Sequence, residues 1–418
     1  MSFHVTILAA GTRGDVQPFV ALALGLLDAG REVTLACNAE FRPLAERHGV
    51  PFHPLRADYL ALADTPEGRA ALQGNPLTAT RRMRAVAAPM VRRMLDDAWL
   101  AAQDTDAVVY HPKTLAGPHL AERLGVPALV AAAVPMLSPT RAFPVPGLVK
   151  HSLGPLNRAT YRLSAAAART FRGTVDAWRD EVLDLQPAPH GVRDVAPDGS
   201  PLPRLYAYSV AVLPRPADWG AETLVTGYWN LPPEPGWTPA PEVERFLAAG
   251  APPVYVGFGS MPLDDPRRSA EEIVAGLRRA GVRGLLDGRL GAALAPADDM
   301  LAIADVPHAW LFARVAAVVH HGGAGTTGAG LSAGRPAVIV PQAVDQPFWA
   351  RAVHARGASP RPLDPRRLEA RRFADALGEA LGDPIAGRAA DLGRVLRRER
   401  GVATAVARLG GAPSRIAA

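Results

Sequence analysis

Two histidines, three glycines and two threonines lie together at residues 320–327, in the sequence HHGGAGTT. They follow a short apolar run and precede a stretch with helical spacing. A strand that turns through glycines into a helix exposes the first backbone N–H groups of that helix, which bind anions and above all phosphates. Threonine hydroxyls and neutral imidazoles add further donors. The segment therefore predicts a phosphate site; the alternative is a tight turn with two packed histidines.

A carboxylate stands in a similar position in the first half of the chain. The sequence GTRGDVQP at residues 11–18 directly follows the first apolar run, and its glycine spacing is not that of the dinucleotide-binding fingerprint. Asp15 occurs where the turn enters a helix, at the end of a strand, where a carboxylate could accept a proton. The alternative is an aspartate that only caps its helix.

Two further segments follow apolar runs in the second half. Residues 341–348 (PQAVDQPF) combine an acid with an amide. Such a pair can hold adjacent hydroxyls of a sugar, because a carboxylate accepts hydrogen bonds and an amide both donates and accepts. Residues 257–260 (GFGS) could offer N–H and hydroxyl groups to a phosphate. The alternatives are a capped helix start for the first segment and a plain turn for the second.

Alternating strands and helices must position these segments. That alternation predicts parallel sheets with helices on both faces, and hence an α/β fold. In the first half, strands are predicted at 5–9, 32–36, 108–110 and 128–132, and helices at 16–29, 42–48, 117–124 and 156–186. In the second half, strands are predicted at 254–258, 316–319 and 337–340, and helices at 269–280, 326–333 and over most of 368–409.

Proline-rich residues 214–241 separate the two halves. Ligands of doubly wound sheets bind at the carboxyl ends of the strands, so the site is expected in a cleft between two domains. We predict an N-terminal domain over residues 1–214, a linker over 215–241, a C-terminal domain over 242–400 and a helical tail over 401–418.

The chain has 418 residues, a net charge of +6 and a pI of about 9.9, but this charge does not indicate a nucleic-acid partner. Only Lys113 and Lys150 are lysines, and the arginines form no stripe interleaved with aromatic residues. No apolar run reaches the roughly 20 residues of a membrane span, and the first residues have the pattern of a strand rather than a signal peptide. Cys37 is the only cysteine, which fits a reducing compartment, so we expect a cytoplasmic protein.

One group of basic residues is concentrated on a predicted helix that Pro89 would kink. A solvated face is the first interpretation, and contact with an anionic membrane surface or an acidic acceptor is the alternative. Peripheral membrane contact therefore stays open. The group consists of Arg81, Arg82, Arg84, Arg92 and Arg93.

The order of these segments resembles the GT-B glycosyltransferases that use nucleotide-activated sugars. Within them it is most similar to the bacterial antibiotic glycosyltransferases and the sterol glucosyltransferases. The resemblance covers most of both halves, and it also rests on VTGYW at 225–229, VPHAWLF at 306–312 and DQPFW at 345–349. It implies two Rossmann-like doubly wound domains that face each other across a cleft, with the acceptor in the N-terminal domain and the sugar donor in the C-terminal one.

The resemblance also implies roles for individual residues. Asp15 matches the catalytic base, a position that many relatives fill with histidine. His321, Gly325 and Thr326 match diphosphate-binding positions, whereas Asp345 and Gln346 match sugar-hydroxyl positions. Ser260 matches a donor-phosphate contact, and Val306 and His308 match residues beside the base and ribose. The expected donor-binding residues are Thr12, Arg13, Gly14, Ser260, Val306, His308, His321, Gly323, Gly325, Thr326, Thr327, Asp345 and Gln346.

The implied reaction moves a hexose, with glucose as the first expectation, from a UDP or dTDP sugar to a hydroxyl of a lipophilic small molecule. Asp15 removes the hydroxyl proton, and the helix start at 321–326 stabilises the departing diphosphate. Direct attack inverts the anomeric carbon. We hypothesise that His111 pairs with Asp15, the alternative being a structural histidine. No metal or other cofactor is expected, since Asp104 and Asp106 are interpreted as parts of a turn.

Departures from the family pattern and competing functions complete the prediction. Asp305 stands where many relatives stack an aromatic residue on the nucleobase, so uridine and thymidine nucleotides both stay open. Residues 284–289 lack a Ser-Gly-Trp-like segment, so the adjoining wall of the donor site is expected to differ from that of the relatives. A nucleotide-sugar epimerase and a non-catalytic auxiliary subunit are the alternatives. Residues 60–100 and the irregular insertion 141–203 favour an acceptor pocket, which an epimerase does not need. A sterol, a polyketide or an aromatic aglycone would each be a suitable acceptor. The protein is expected to be a monomer or a homodimer.

Overall fold

Two parallel β-sheets with helices on both faces form the protein, which we describe from a computed structural model. The described residues are 2–57, 76–149, 151–188, 195–196, 198–259, 265–291 and 297–410, without the side chains of 76–83, 164, 167 and 168. This architecture confirms the predicted α/β class with two doubly wound sheets.

The N-terminal sheet has seven described strands, all parallel. They are β1 (His4–Leu8), β2 (Glu32–Asn38), β3 (Phe52–Leu55), β4 (Ala107–Tyr110), β5 (Ala128–Ala132), β6 (Arg204–Tyr206) and β7 (Thr223–Val225). Their order across the sheet is β3-β2-β1-β4-β5-β6-β7. The central strands β4 and β5 are buried along their whole length, because helices cover both faces of the sheet. The carboxyl ends of β1 and β4 are therefore neighbours, and the loops that follow them meet.

Six described helices cover this sheet. They are α1 (Arg13–Asp28), α2 (Arg42–Arg47), α3 (Pro76–Ala102), α4 (Gly117–Leu124), α5 (Asn157–Ala168) and α6 (Arg172–Leu183). The basic helix predicted from the sequence is part of α3, in which Met90 and Met94 are buried. Arg92 forms ion pairs with Asp96 and Glu181, so this part of the basic face is neutralised within the protein.

The C-terminal sheet has five described parallel strands. They are β8 (Val254–Gly257), β9 (Gly284–Asp287), β10 (Met300–Ile303), β11 (Ala317–His320) and β12 (Ala337–Ile339), in the order β10-β9-β8-β11-β12. In the register of β8 and β11, His320 is opposite Gly257. That register brings the glycine turn after β8 beside the glycine turn after β11.

The helices of the second half pack on both faces of this sheet, except the last. They are α7 (Pro241–Ala248), α8 (Pro266–Arg279), α9 (Gly288–Gly291), α10 (His308–Leu311), α11 (Ala324–Ser332), α12 (Gln346–Ala355), α13 (Ala370–Leu381), α14 (Asp383–Leu396) and α15 (Gly401–Gly410). The chain crosses back before α15, which packs on α1 and contributes to the N-terminal core. At this return crossing, Gly401 lies against the backbone of Gly227 on the outward crossing, and Ser209 donates to Glu399 at 2.6 Å.

Aromatic side chains join the two halves. Phe143 and Phe348 have ring centroids 5.2 Å apart, and Tyr208 and Trp349 are 5.5 Å apart. These rings belong to one buried apolar cluster that contains residues of both sheets. None of the described helices combines the length and the apolar character that a membrane span requires.

The structure contains strands that the sequence pattern does not predict. These are β3, β6, β7, β9 and β10, which have three or four residues each. Because β7 lies within 215–241, the first part of the predicted linker belongs to the N-terminal sheet. The helical stretch predicted at 156–186 consists of α5 and α6.

Candidate active site

Asp15 lies in the first turn of α1, and its carboxylate holds the turn after β1 together. Thr12 caps the helix: its backbone N–H and its hydroxyl donate to Asp15 Oδ2 at 2.8 and 3.1 Å. The φ of Gly11 is 130°, and an added Cβ there would collide with the same carboxylate. Only glycine therefore fits before Thr12. The helix-capping alternative is present in the structure, and it fixes the orientation of Asp15.

A lysine from the neighbouring strand end also contacts Asp15. Lys113 lies in a short 3-10 turn, Pro112–Thr114, which follows β4. Its Nζ is 2.8 Å from Asp15 Oδ2. Three donors thus converge on Oδ2, which leaves Oδ1 as the oxygen with the greater capacity to take a proton.

His111 faces that other oxygen. The distance from its Nε2 to Asp15 Oδ1 is 3.5 Å, which is long for a hydrogen bond. The backbone N–H of Lys113 donates to Nδ1 at 3.3 Å, which assigns the ring proton to Nε2. Burial lowers the pKa of His111 to about 4 against the attraction of Asp15, so the ring is neutral near pH 7. His111 and Asp15, the hypothesised pair, are therefore neighbours, with His111 as a neutral N–H donor and Asp15 as a carboxylate.

The electrostatic surroundings keep Asp15 ionised. Burial alone would raise the pKa of Asp15, but the Lys113 ammonium, the His111 ring and the hydrogen bonds from Lys113 and Thr12 together lower it. An ionised carboxylate can accept a proton from an alcohol while the alcohol attacks, without forming an alkoxide first. The first helix start therefore holds an ionised carboxylate in a fixed orientation, which is what a general base requires.

The turn between β11 and α11 has the opposite character. The φ of Gly322 is 90°, and an added Cβ would lie 2.9 Å from Ile339 and 3.0 Å from the carbonyl of Gln346. The N–H of Gly322 donates to His320 Nδ1 at 3.0 Å, which closes the turn. The first N–H groups of α11 have no partner within the helix, and a Cβ at Gly325 would meet no atom within 4 Å. A helix start that faces open space in this way can bind an anion.

The ring of His321 lies beside this helix start. It contacts Gly323 and is 3.3 Å from the position of a Cβ at Gly259, so it sits between the turns after β11 and β8. Burial lowers the pKa of His321 to about 4, and the ring is neutral. His321 Nδ1 and Thr327 Oγ1 are buried and have no hydrogen-bond partner among the described residues. Such atoms are rare in folded proteins, and here they fit a site for a phosphate group.

Asp345 and Gln346 occupy the start of α12. Burial raises the pKa of Asp345 to about 6, and the charge of Asp15 acts in the same direction. The carboxylates of Asp15 and Asp345, which follow strands of different sheets, therefore interact electrostatically. Gln346 Oε1 accepts from the backbone N–H groups of Gln342 and Ala343 at 2.8 and 3.2 Å. Its oxygen thus holds the loop, and its amide nitrogen is the atom that could donate to a sugar hydroxyl.

An ion pair links the two halves near the donor residues. Arg13 Nη1 is 2.6 Å from Asp305 Oδ2, and both side chains are about half exposed. His308 begins α10, and its ring stacks on Phe312 with centroids 4.3 Å apart. Burial, followed by the Arg13 charge, lowers the pKa of His308 to about 4. Val306, which lies between Asp305 and His308 in the sequence, is half-buried.

The described site residues lie at strand ends and helix starts, as predicted. Thr12 and Gly14 flank Arg13 at the start of α1, and Thr326 lies in the first turn of α11. Ser260 lies outside the described residues, so its phosphate contact stays a prediction. The predicted site residues include His111 but not Lys113, which lies two residues further along the same turn and contacts Asp15. The signal that could have found it is its place directly after a buried strand that pairs with β1.

The described residues contain no group of three or more His, Cys, Asp or Glu that could hold a metal ion. Asp104 and Asp106 contact His4 at the start of β1. Asp106 Oδ2 accepts from the backbone N–H of His4 at 2.9 Å, and the Asp104 carbonyl oxygen is 3.0 Å from His4 Nδ1. The expectation that catalysis needs no metal stays a prediction.

Two family models match the chain on either side of the cleft. Residues 5–141 match the glycosyltransferase family 28 N-terminal domain, and residues 287–396 match the C-terminal domain of the erythromycin biosynthesis protein CIII-like family. The first range contains Asp15 and Lys113, and the second contains His321 and the start of α12.

Curated relatives extend the match to nearly the whole chain. The O-mycaminosyltylonolide 6-deoxyallosyltransferase of Streptomyces fradiae is 36% identical over 96% of this chain and 96% of that protein. A sterol 3-beta-glucosyltransferase of Arabidopsis thaliana is 35% identical over 96% of this chain, and one of Aspergillus clavatus is 35% identical over 97%. This chain spans 64% of the length of the Arabidopsis protein and 29% of the Aspergillus protein.

Solved structures share the architecture. The calicheamicin glycosyltransferase CalG4 has a TM-score of 0.70 at 18% identity, covering 98% of both chains. The spinosyn rhamnosyltransferase SpnG complexed with thymidine diphosphate has a TM-score of 0.66 at 19% identity, covering 98% of this chain and 100% of that one. At such identities the likeness supports the fold alone. Together with the family models and the curated relatives, it shows that the chain belongs to the GT-B glycosyltransferases, the family to which the sterol glucosyltransferases and the deoxyallosyltransferase named above also belong.

Proposed function

We propose that this protein transfers a hexose from a nucleoside diphosphate sugar to a hydroxyl of a lipophilic small molecule, with inversion at the anomeric carbon. The observation that carries the proposal is the contact between two helices of different halves, α1 and α11, which begin after the carboxyl ends of β1 and β11. The start of α1 presents the ionised carboxylate of Asp15, and the start of α11 presents N–H groups. The charge of Asp15 acts on Asp345, and we infer that a sugar held by Asp345 lies near the proposed base.

The geometry suggests how the reaction proceeds. An acceptor hydroxyl attacks the anomeric carbon and gives its proton to Asp15 Oδ1, while Lys113 and Thr12 keep Oδ2 in place. The bond from the anomeric carbon to the diphosphate oxygen breaks on the opposite face, which inverts that carbon. The N–H groups of α11 and the neutral His321 ring stabilise the charge that develops on the leaving diphosphate.

The relatives guide the choice of substrates. Several curated relatives are named sterol 3-beta-glucosyltransferases, and one is named O-mycaminosyltylonolide 6-deoxyallosyltransferase, so glucose is the first donor sugar to test. Uridine and thymidine are both candidates for the base, because Asp305 replaces the expected aromatic residue. The buried thiol of Cys37 fits a reducing compartment, and we place the reaction in the cytoplasm. The relatives reported above are transferases, so an epimerase and an auxiliary subunit are not favoured.

Donor binding is the first test. Thermal unfolding of the wild type and of His321→Ala is measured with UDP-glucose, dTDP-glucose and GDP-mannose, without acceptor and with EDTA present. We expect one nucleotide sugar to raise the melting temperature of the wild type, since a ligand of the folded state stabilises it, and we expect that shift to vanish in the variant. Slow release of the nucleotide by hydrolysis supports a transferase, and conversion of the donor to an epimer supports an epimerase. Absence of any shift would contradict the donor site.

A further inference from the structure

Four leucines on the N-terminal half are largely exposed. The exposed fractions are 54% for Leu148, 49% for Leu153, 65% for Leu156 and 54% for Leu163. They lie within 16 residues of one another, in the loop before α5 and on α5 itself. Scattered exposed leucines are ordinary, but this concentration marks a binding surface, which we name the leucine surface.

Buried polar side chains hold this loop in place. Asn157 is 1% exposed: its Oδ1 accepts from the backbone N–H of Leu153 at 2.8 Å, and its Nδ2 donates to the carbonyl of Arg141 at 3.0 Å. Thr160 Oγ1 accepts from the backbone N–H of Val145 at 2.8 Å. The leucines are therefore presented by a hydrogen-bonded frame with its own buried anchors.

Arginines surround the leucine surface. Arg141, Arg158 and Arg162 are exposed, and they line a groove of about 450 Å³ together with Leu156. Between residues 123 and 175 the chain has seven Arg or Lys residues and no Asp or Glu. Asp218, a carboxylate that Arg158 influences, already accepts hydrogen bonds from Thr140 and from the backbone N–H of Arg141. Asp218 therefore offsets part of the charge of the three arginines, and Arg172 is paired with Asp176, but a net positive charge remains beside the exposed leucines. Exposed apolar groups next to net positive charge suit an anionic lipid surface.

The leucine surface adjoins the active-site cleft. Gly147, next to Leu148, lies against Val344: the position of a Cβ on Gly147 is 3.3 Å from Val344 Cγ1 and 3.6 Å from the backbone nitrogen of Asp345. Val344 is itself 61% exposed. A lipophilic molecule that leaves a bilayer at this surface would therefore be close to the loop before α12, which contains Val344 and Asp345.

We propose that the leucine surface docks this protein on anionic bilayers, with the leucine side chains among the acyl chains and the three arginines on headgroup phosphates. A second copy of the chain is a poorer partner, because a symmetric contact would bring two sets of like charges together. The docking itself does not depend on which sugar is transferred, and its test uses no transfer reaction.

Vesicle co-sedimentation tests the docking. The probes are vesicles of phosphatidylcholine alone and vesicles of phosphatidylcholine mixed with phosphatidylglycerol, both at the same total lipid concentration. The variants are Leu153→Ser/Leu156→Ser/Leu163→Ser and Arg141→Gln/Arg158→Gln/Arg162→Gln. The matched controls are Leu100→Ser, an exposed leucine elsewhere at 59%, and Arg371→Gln/Arg372→Gln on α13. Melting temperature and UDP binding check that each variant is folded.

We expect the wild type and both controls to bind phosphatidylglycerol vesicles, and binding to weaken in 0.5 M NaCl because salt screens the arginines. Each of the two surface variants should lose about tenfold in partition coefficient, because apolar burial and charge attraction both contribute. If the leucine variant does not fold, the arginine variant decides. Absence of vesicle binding by the wild type, equal binding by variants and controls, or a dimer in gel filtration that the leucine variant dissociates would overturn the proposal.

Discussion

The turns after β1 and after β11 have the same architecture and opposite electrostatics. Each follows a buried parallel strand, contains a glycine with positive φ and leads into a helix. The first turn presents a carboxylate held by Lys113 and Thr12, whereas the second presents N–H groups and a neutral histidine. One helix start is thus filled by the chain's own anion, and the other is left for an anion from outside.

The residue in the first turn of each helix determines which chemistry these two sites can perform. A helix start favours negative charge whatever its sequence, so a residue in the first turn determines whether the charge belongs to the protein or to a ligand. Asp15 supplies it at α1, and α11 has no acidic residue in its first turn. A single side chain, that of Asp15, therefore distinguishes the proposed base from the proposed diphosphate site.

Removal of the charge of Asp15 should have the largest effect. Asp15→Asn keeps a cap for α1 but no longer accepts a proton, so we expect kcat to fall about 10³-fold with donor binding unchanged. Steady-state kinetics and nucleotide titration measure the two effects. Asp364→Asn, which changes another helix-start carboxylate, is the control. A kcat within threefold of wild type would exclude Asp15 as the base.

Protonation of Asp345 should weaken the donor side next. Its pKa is about 6, and only the ionised form accepts two hydrogen bonds from a sugar, so donor affinity should fall as the pH drops from 7.5 to 5. We expect about a tenfold rise in donor KM over this interval. Asp15 stays ionised there, since its pKa is lowered. Asp345→Asn should have weak, pH-independent donor binding; a variant that keeps the pH dependence would assign it to another group.

Loss of Lys113 should make the first helix start less distinct from the second. Without the ammonium the pKa of Asp15 rises, so the acidic limb of the kcat profile should move to higher pH. In Lys113→Met, kcat at pH 5 and saturating donor should fall about tenfold, and less at pH 8. Lys113→Arg retains the charge and should restore the profile. A uniform loss at all pH values would indicate a purely structural lysine.

The ion pair between Arg13 and Asp305 should contribute least. Exposed pairs are worth at most about 1 kcal/mol, so Arg13→Gln and Asp305→Asn should each change donor Kd by about threefold or less. The double variant should be no weaker than either single one if the pair acts as a unit. Isothermal titration at low and high salt measures the coupling, and additive losses would show that the two residues act separately.

Local sequence predicts the two helix starts, but it does not predict the contacts between elements that are distant in the sequence. Glycines, capping residues and apolar runs act within one turn, which is why the residues at 11–18 and 320–327 predict both sites. Lys113 and the interdomain pair of Arg13 with Asp305 depend on which strands become neighbours, and no spacing in the chain encodes that. The bonds of Gln346 to its own loop also modify the sugar-binding role that the motif implies.

The missed strands have a different cause. β3, β6, β7, β9 and β10 are three or four residues long, so they show too few periods for a pattern, and β3 contains Pro54. They lie on either side of the central strands, where pairing with an existing sheet replaces local preference. The strands that precede the site residues, β1, β4, β8, β11 and β12, are predicted from their apolar runs, although β12 is an edge strand of only three residues.

The chain passes between the two sheets twice, and the two passages touch at Gly227 and Gly401. Two covalent tethers at one point permit rotation about that point and oppose sliding of one half along the other. A rotation of one half about this point would move the turns after β1 and β11 apart and together along a single arc.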